Sequence, residues 1–260
     1  MEQQFIEKQV NLGECCITYF EKGVASGLSP ILFIHGWGLL VEPYQASLNI
    51  LSERYHVIAP ILPGLGQSTA PEIIQDYTDY ARVLIDFLMA LNLKKVHVLG
   101  HSEGGAIGMA LAAVMPSMVR SLTIADSTGI PLGSVLEVVA KRAIEMPAQM
   151  WQMKVEPVTE VFKNLLYNSF TNTQNLINMG FIGIEKDLRP LLPSIESPCL
   201  ILWGKNDLLT PVSFAHEFYQ NIKDSELIVV DEVYHEWVLF FPEKFASMIL
   251  KFIDKIENVN

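Results

Sequence analysis

The chain is poor in cysteine and in positive charge. It has three cysteines in 260 residues, Cys15, Cys16 and Cys199, and two of them are adjacent. Adjacent cysteines rarely pair with each other, so the sequence argues against a disulfide framework and predicts a reducing, cytoplasmic setting. With 18 Lys and Arg against 29 Asp and Glu, the formal net charge is -11, and no basic cluster occurs. This balance argues against nucleic acid or an anionic membrane as a partner.

Long apolar runs are missing as well. No run is long enough to span a bilayer, and residues 1–8 have neither the basic nor the apolar region of a secretory signal. No Cys and His residues have the spacing of metal ligands, so we expect neither a metal nor an organic cofactor. Half of the residues are hydrophobic, which at this length predicts one elaborated α/β domain with a large core. No feature defines an oligomeric state.

Short, continuous apolar runs alternate with segments of helical period along most of the chain. This alternation is typical of a mostly parallel sheet flanked by helices. The segment 15–20 predicts an antiparallel hairpin at the edge of the sheet, and the clearest helices are expected at 76–91 and 242–256. The predicted strands are residues 31–34, 55–59, 96–99, 119–124, 200–203 and 227–230.

The alternation stops in residues 128–189, which have helical patterns but no convincing strand. We interpret this segment as a helical cap inserted after the sixth strand, on a core made of residues 1–127 and 190–260. Ordinary amphipathic packing is the alternative role for its large side chains, but flexible Met and aromatic residues would also suit the wall of an adaptable apolar pocket. These residues are Met146, Met150, Trp151, Met153, Phe162, Leu165, Leu166, Tyr167, Met179 and Phe181.

Ser102 is the candidate nucleophile. It lies in the sequence Gly-His-Ser-Glu-Gly-Gly of residues 100–105, directly after the predicted strand 96–99 and before a helical pattern that Pro116 closes. A strand that turns at once into a helix holds its turn residue in a strained conformation, and small residues at both ±2 positions let the backbone close. The pattern therefore predicts a nucleophile elbow that exposes Ser102 above the sheet.

A serine hydroxyl needs a base to take its proton and an acid to orient that base. Of six histidines, His235 is the candidate base because it follows the predicted strand 227–230, and open α/β sheets bind ligands at the carboxyl ends of their strands. Two aspartates compete for the role of the acid. Asp207 follows the predicted strand 200–203, and Asp126 ends the strand before the cap.

The oxyanion of the transition state needs two main-chain N–H donors. The N–H of Glu103 is one candidate, because it lies at the start of the helix after the nucleophile, where the helix dipole favours negative charge. The second candidate is the N–H of Trp37, in the loop His35–Gly38 that directly follows the predicted strand 31–34. For the Glu103 side chain we predict a role in supporting the helix N-terminus or in a buried polar contact.

With these motifs the chain resembles the α/β-hydrolase superfamily, in its cap-bearing branch, over nearly its whole length. Residues 35–38 resemble the HGxG oxyanion loop, 100–105 the G-H-S-x-G-G elbow, 204–207 the G-x-x-D acid turn and 63–68 the P-G-x-G-x-S loop. The resemblance implies the α/β-hydrolase fold, and the family's chain order favours Asp207 over Asp126 as the acid. The predicted catalytic residues are thus Ser102, Asp207 and His235.

The sequence departs from the family pattern at two positions. The loop that normally begins Asp-Leu-Pro-Gly reads Ile61-Leu62-Pro63-Gly64 and lacks the aspartate, so we expect looser hydrogen bonding near the oxyanion loop. Tyr234 stands where a glycine commonly precedes the catalytic histidine, so we expect a different loop path or pocket rim. Neither change removes a group that the chemistry requires.

The resemblance implies a serine hydrolase, and we predict an esterase for small or medium carboxylic esters with an apolar part. A carbon–carbon bond hydrolase of ring-cleavage products is an alternative, since residues 235–237 resemble the H-x-W of those enzymes. Acyl-carrier methyl esterases, some of which share His-Gly-Trp-Gly, are a minority alternative because they favour basic caps. A ligand-binding protein without turnover is the alternative outside enzymes. A serine at the elbow argues against dehalogenases and epoxide hydrolases, which use aspartate there.

Overall fold

The computed structural model describes residues 4–23, 27–72 and 74–258. Within these residues, eight strands form one sheet in the order β1-β2-β4-β3-β5-β6-β7-β8. The strands are β1 (Ile6–Asn11), β2 (Cys16–Lys22), β3 (Ile31–Ile34), β4 (Val57–Pro60), β5 (Val96–His101), β6 (Val119–Ala125), β7 (Cys199–Gly204) and β8 (Ser225–Val230). The predicted sheet, with its edge hairpin at residues 15–20, is confirmed.

The sheet is antiparallel at one edge and parallel in the rest. β1 and β2 form an antiparallel hairpin, β2 is antiparallel to β4, and every later pair is parallel. The central strands β3, β4 and β5 are buried along their whole length, which explains their continuous apolar sequences. All three cysteines are free thiols, and Cys199 is buried in β7, as its apolar surroundings indicate.

Nine α-helices lie within the described residues, and α1, α3, α7 and α9 contact strands of the sheet. α3 contacts β3, β5 and β6, while α9 packs on α1 and β6. No helix in the described part of the chain is long and apolar enough to cross a membrane. The helices are α1 (Gln45–Ser52), α2 (Tyr77–Ala90), α3 (Glu103–Val114), α4 (Val135–Ala148), α5 (Val155–Thr171), α6 (Thr173–Glu185), α7 (Val212–Asn221), α8 (Trp237–Phe240) and α9 (Pro242–Glu257).

The predicted bounds of several elements are corrected by one or two residues. β4 begins at Val57 rather than at residue 55, because Tyr55 turns into the core instead and donates its hydroxyl to Asp254. β5 continues past Leu99, because Gly100 and His101 still pair with β6. The strand therefore runs directly up to Ser102.

Residues 128–189, all of which are described, contain α4, α5 and α6 and no strand. These helices connect the carboxyl end of β6 to β7 and thus start beside the elbow that follows β5. The division into a core and a cap at residues 127/128 and 189/190 stays a prediction.

Candidate active site

The turn after β5 places Ser102 in a strained conformation. Its φ and ψ are 55° and -121°, in a region that residues other than glycine rarely adopt. The turn closes only because its neighbours lack side chains: a Cβ on Gly100 would lie 2.2 Å from the carbonyl oxygen of Gly104. A Cβ on Gly104 would lie 2.1 Å from the carbonyl oxygen of Ile34. The glycines of the motif are therefore steric requirements of the elbow.

The structure brings Ser102, His235 and Asp207 together in one hydrogen-bonded chain. Ser102 Oγ lies 3.0 Å from His235 Nε2, and His235 Nδ1 lies 2.8 Å from Asp207 Oδ2. Asp207 also accepts from the Thr210 N–H at 2.8 Å and from the Thr210 hydroxyl at 2.6 Å. All three candidate residues are buried. Their arrangement is that of a nucleophile, a base and an orienting acid.

The competing aspartate, Asp126, is occupied elsewhere. Its Oδ1 accepts from the Gly204 N–H at 2.7 Å, and its Oδ2 accepts from the Trp237 indole N–H at 2.6 Å. Burial, together with the nearby charge of Asp207, raises the pKa of Asp126 well above its usual range. Asp126 therefore ties the end of β6 to the end of β7 and to α8.

The environment of His235 favours its charged form. Burial lowers the pKa of His235, but the charge of Asp207 and its hydrogen bond together outweigh burial and raise it to about 9. A neutral His235 is therefore a strong base.

The two candidate oxyanion donors belong to segments that adjoin Ser102. Glu103 is the first residue of α3, where main-chain N–H groups have no partner within the helix. Trp37 belongs to the loop after β3, and a Cβ on the preceding residue, Gly36, would lie 3.2 Å from Ser102 Cβ. The indole N–H of Trp37 donates to the carbonyl oxygen of Leu176 at 2.8 Å, which anchors this loop to α6.

The loop that lacks the family aspartate is held by main-chain contacts. The N–H of Leu62 donates to His35 Nε2 at 3.0 Å, and the opposite ring nitrogen of His35 lies 3.0 Å from the Gly36 carbonyl oxygen. Burial lowers the pKa of His35 to about 4, so the ring stays neutral near pH 7. Because Nε2 accepts, Nδ1 carries the proton and donates.

Tyr234 is the other position that departs from the family pattern. Its carbonyl oxygen would lie 2.9 Å from a Cβ on Gly204, so the chain before His235 passes close to the end of β7.

The side chain of Glu103 makes a buried polar contact, one of the two roles predicted for it. Its Oε2 accepts from the Thr128 hydroxyl at 3.0 Å, and Thr128 in turn accepts from the Tyr77 hydroxyl at 3.1 Å. Its Oε1 faces α6, where a Cβ on Gly183 would lie 2.0 Å away. Burial raises the pKa of Glu103 to about 7. The first residue after the elbow is thus packed directly against helix α6.

This raised pKa predicts a pH-dependent loss of stability that Glu103→Gln should remove. The folded chain favours the neutral carboxyl, so the stabilisation is complete below the ordinary value of 4.5 and is lost as pH rises through about 7. The free energy of unfolding of the Gln variant minus that of the wild type should therefore be about 3 kcal/mol larger at pH 8 than at pH 4.5. Urea denaturation at both pH values measures this difference, and parallel stability curves would contradict it.

A cavity of about 350 Å³ opens onto Ser102 and His235. Its wall is mainly apolar, and part of it comes from the Met and aliphatic side chains of the predicted cap, as the composition of that segment indicates. Among the described residues, no group of three or more His, Cys, Asp or Glu side chains is placed to hold a metal ion. The apolar residues that line the cavity include Met146, Met153, Val158, Val161, Leu165 and Leu239.

Sequence reasoning missed a charged cluster at the rim of this cavity. Arg142 of α4 donates to Glu145 Oε2 at 2.8 Å and also to Glu236 Oε1. Gln149 donates to Glu236 Oε2 at 2.6 Å. The one signal in the sequence is that Glu236 directly follows His235. Arg142, Glu145 and Gln149 lie in or next to α4, and the sequence does not define where that helix lies relative to His235.

Two side chains brace the loops that carry the acid and the base. Oε1 of Glu145 accepts from the Leu208 N–H at 3.0 Å, next to Asp207. Nε2 of His101 lies 3.1 Å from the carbonyl oxygen of His235, and since a carbonyl only accepts, the ring donates. Helix α4 and the end of β5 therefore both position the hydrogen-bonded chain.

A model of the alpha/beta hydrolase fold family matches residues 29–176, more than half of the chain. The protein therefore belongs to the α/β-hydrolase family, and the fold class predicted from its motifs is confirmed.

Known relatives of similar length include hydrolases with different substrates in their names. The chain is 26% identical to the 2-hydroxy-6-oxo-6-(2'-aminophenyl)hexa-2,4-dienoic acid hydrolase of Metapseudomonas resinovorans, over 98% of this chain and 93% of that one. It is 27% identical to the (E)-2-((N-methylformamido)methylene)succinate hydrolase of Acinetobacter baylyi, over 87% and 89%. Among solved structures, a bacterial membrane phospholipase A is 25% identical with a TM-score of 0.82, over 98% of this chain and 87% of that one.

Proposed function

We propose that the protein is a serine hydrolase that cleaves carboxylic esters of small to medium size with an apolar acyl or alcohol part. The observation that carries this proposal is the chain from Ser102 Oγ through His235 to Asp207, with distances of 3.0 Å and 2.8 Å, at the base of an apolar cavity. The similarity to a phospholipase supports an ester substrate.

In the proposed mechanism, Ser102 Oγ attacks the ester carbonyl while His235 Nε2 takes its proton. The main-chain N–H groups of Trp37 and Glu103 stabilise the oxyanion, and Asp207 holds the imidazolium in place. The proton on Nε2 passes to the leaving alcohol, which leaves an acyl group on Ser102. A water molecule then attacks this acyl group while His235 takes its proton, and His235 returns that proton to Ser102 Oγ as the bond to the acyl group breaks and the acid leaves.

The second candidate function is cleavage of a carbon–carbon bond, favoured by the similarity to a dienoic acid hydrolase. The charges at the cavity argue for a neutral ester instead. Among the described residues that line the cavity, Arg142 is the one Lys or Arg, and it already pairs with Glu145 and Glu236. A substrate carboxylate would meet Arg142, whose charge Glu145 and Glu236 already neutralise. Burying that carboxylate in the cavity would therefore cost free energy that no unpaired Lys or Arg of the lining offsets.

The first test is labelling with a fluorophosphonate probe, which reacts only with an activated serine. We expect labelling at Ser102 in the native protein, a burst of p-nitrophenol from p-nitrophenyl esters, and neither in Ser102→Ala. Absence of labelling in the folded wild type would favour the ligand-binding alternative.

A matched pair of substrates separates the two enzymatic candidates. p-Nitrophenyl butyrate and p-nitrophenyl hemisuccinate differ mainly by a terminal carboxylate, and we expect kcat/KM for the butyrate to be higher by about 10–100-fold, or roughly 1–3 kcal/mol. A ring-cleavage dienoate should be a poorer substrate than either ester. Faster turnover of the dienoate would favour the carbon–carbon hydrolase.

A further inference from the structure

Helix α5 has its apolar side turned to solvent. Val155, Phe162, Leu166 and Phe170 are 85%, 66%, 48% and 81% exposed. Spacings of seven, four and four residues place all of them on one face of the helix. The opposite face carries Asn164 and Asn168, both buried. This is the reverse of the usual amphipathic pattern of a helix at a protein surface.

Hydrogen bonds to the core fix this reversed orientation. Asn164 Oδ1 accepts from the Leu40 N–H at 2.8 Å, in the loop after β3. Asn168 accepts from the Gly66 N–H at 2.8 Å and donates to the Gly38 carbonyl oxygen at 3.0 Å. A rotation that buried the apolar face would leave these buried main-chain groups without partners, at a cost for each. The outward face is therefore a fixed property of the fold.

The exposed face continues into the cavity above Ser102. Met150 and Trp151, in the turn before α5, are also exposed, and we call these two residues together with the four of α5 the cap patch. Met146 and Val158 are each partly exposed and also line the cavity. Val158 lies four residues before Phe162 on α5, so the two are neighbours on the helix surface. Met146 lies in the last turn of α4, four residues before Met150. The apolar lining of the cavity therefore reaches the outer surface next to the patch.

We propose that the cap patch docks on an uncharged or zwitterionic lipid surface, and that the substrates are esters with an apolar chain held in that surface. This inference rests on the proposed function and names its class of substrate. Monomeric proteins rarely expose so large an apolar patch without a partner, and Trp and Phe are favoured at lipid–water interfaces.

Charge and access both favour a lipid surface over other partners. Residues 150–171 carry two Lys and two Glu, and the whole chain has a net charge of -11, so an anionic surface would be repelled while a neutral one would not. A second copy of the chain on the patch would cover the rim formed by Met146 and Val158. A lipid surface would instead supply the ester at that rim.

The docking step is tested by flotation with phosphatidylcholine vesicles, using full-length Ser102→Ala so that no ester is hydrolysed. We expect the protein to float with the vesicles. Adding Phe162→Gln and Phe170→Gln should reduce the bound fraction at least about tenfold, since two exposed aromatic side chains are lost. The matched control is Met89→Gln, an exposed apolar residue of α2, which should float like the parent.

The kinetic test uses the chain with Ser102 intact and compares an ester dispersed in vesicles with a soluble short-chain ester. The double Gln variant should lower the ratio of these two activities at least tenfold, and Met89→Gln should keep it. Four results would overturn the docking proposal: no flotation, stronger binding to phosphatidylglycerol vesicles, an unchanged activity ratio, or a dimer in sedimentation that the double variant dissociates. Flotation without hydrolysis of any ester would refute the proposed function and leave docking supported, so the two failures are distinguishable.

Discussion

Asp207→Asn should lower kcat by about 10³–10⁴-fold while KM changes little. The Asn amide would donate to His235 Nδ1, where Asp207 Oδ2 now lies at 2.8 Å. The proton of the neutral ring would then have to sit on Nε2, which could no longer take the proton of Ser102. The variant should fold, because the Asn carbonyl can still accept from Thr210. Steady-state kinetics on a p-nitrophenyl ester measure the effect.

The control is the same substitution at the competing aspartate. Asp126→Asn keeps one acceptor for the Gly204 N–H or the Trp237 indole, but not both. We expect a loss of about 1–2 kcal/mol in free energy of unfolding, with kcat within about tenfold of the wild type. If Asp126→Asn abolished turnover and Asp207→Asn did not, the role of the acid would pass to Asp126.

The pH profile gives an independent sign of the same interaction. An imidazolium cannot accept a proton, so kcat/KM of the wild type should rise with pH up to the raised pKa of His235, near 9. Asp207→Asn removes the charge that raises this pKa and leaves the burial that lowers it. The rise should therefore move to lower pH in the variant, and a profile unchanged between the two proteins would contradict the pairing.

The central sheet and the elbow could be predicted because local sequence determines them. β5 and α3 are separated by a single turn residue. The residues of the elbow are therefore close together in the structure because they are close together in the sequence. The glycines at 100 and 104 are required by contacts within that unit and with the neighbouring strand β3. His235 and Asp207 lie far apart in sequence, but each follows a strand, and parallel strands bring their carboxyl ends to one edge of the sheet.

The orientation of α5 in the predicted cap could not be predicted, because distant loops determine it. The helical pattern of α5 places Phe162, Leu165 and Leu166 together, which suggests a buried apolar side. The structure buries Asn164 and Asn168 instead, because the main-chain groups of loops 38–40 and 66 need partners. These contacts join residues more than 100 positions apart. Leu165 lines the cavity, one of the two roles left open for these side chains, whereas Phe162 is exposed to solvent.

Gly104→Ala should destabilise the protein by about 4 kcal/mol, the largest loss of stability that we expect from adding one methyl group. A Cβ at this position would lie 2.1 Å from the carbonyl oxygen of Ile34 and 2.7 Å from that of His35. Both obstacles are main-chain atoms at the end of β3, so relief requires moving α3 away from the strand. That movement would also separate Ser102 from the loop of Trp37, so activity should fall together with stability.

Gly108→Ala is the matched control, one helical turn further along the same helix. Its Cβ would lie 3.1 Å from Val98 Cγ1 and 3.3 Å from Leu122 Cδ1, side-chain methyl groups that can shift by a few tenths of an ångström. Alanine is also the better helix former by about 1 kcal/mol, so we expect a net change within about 1 kcal/mol. Thermal and urea denaturation of both variants measure the difference. Equal losses at the two positions would mean that helix α3 tolerates neither methyl group, and that contact with the β3 main chain is not what requires glycine at 104.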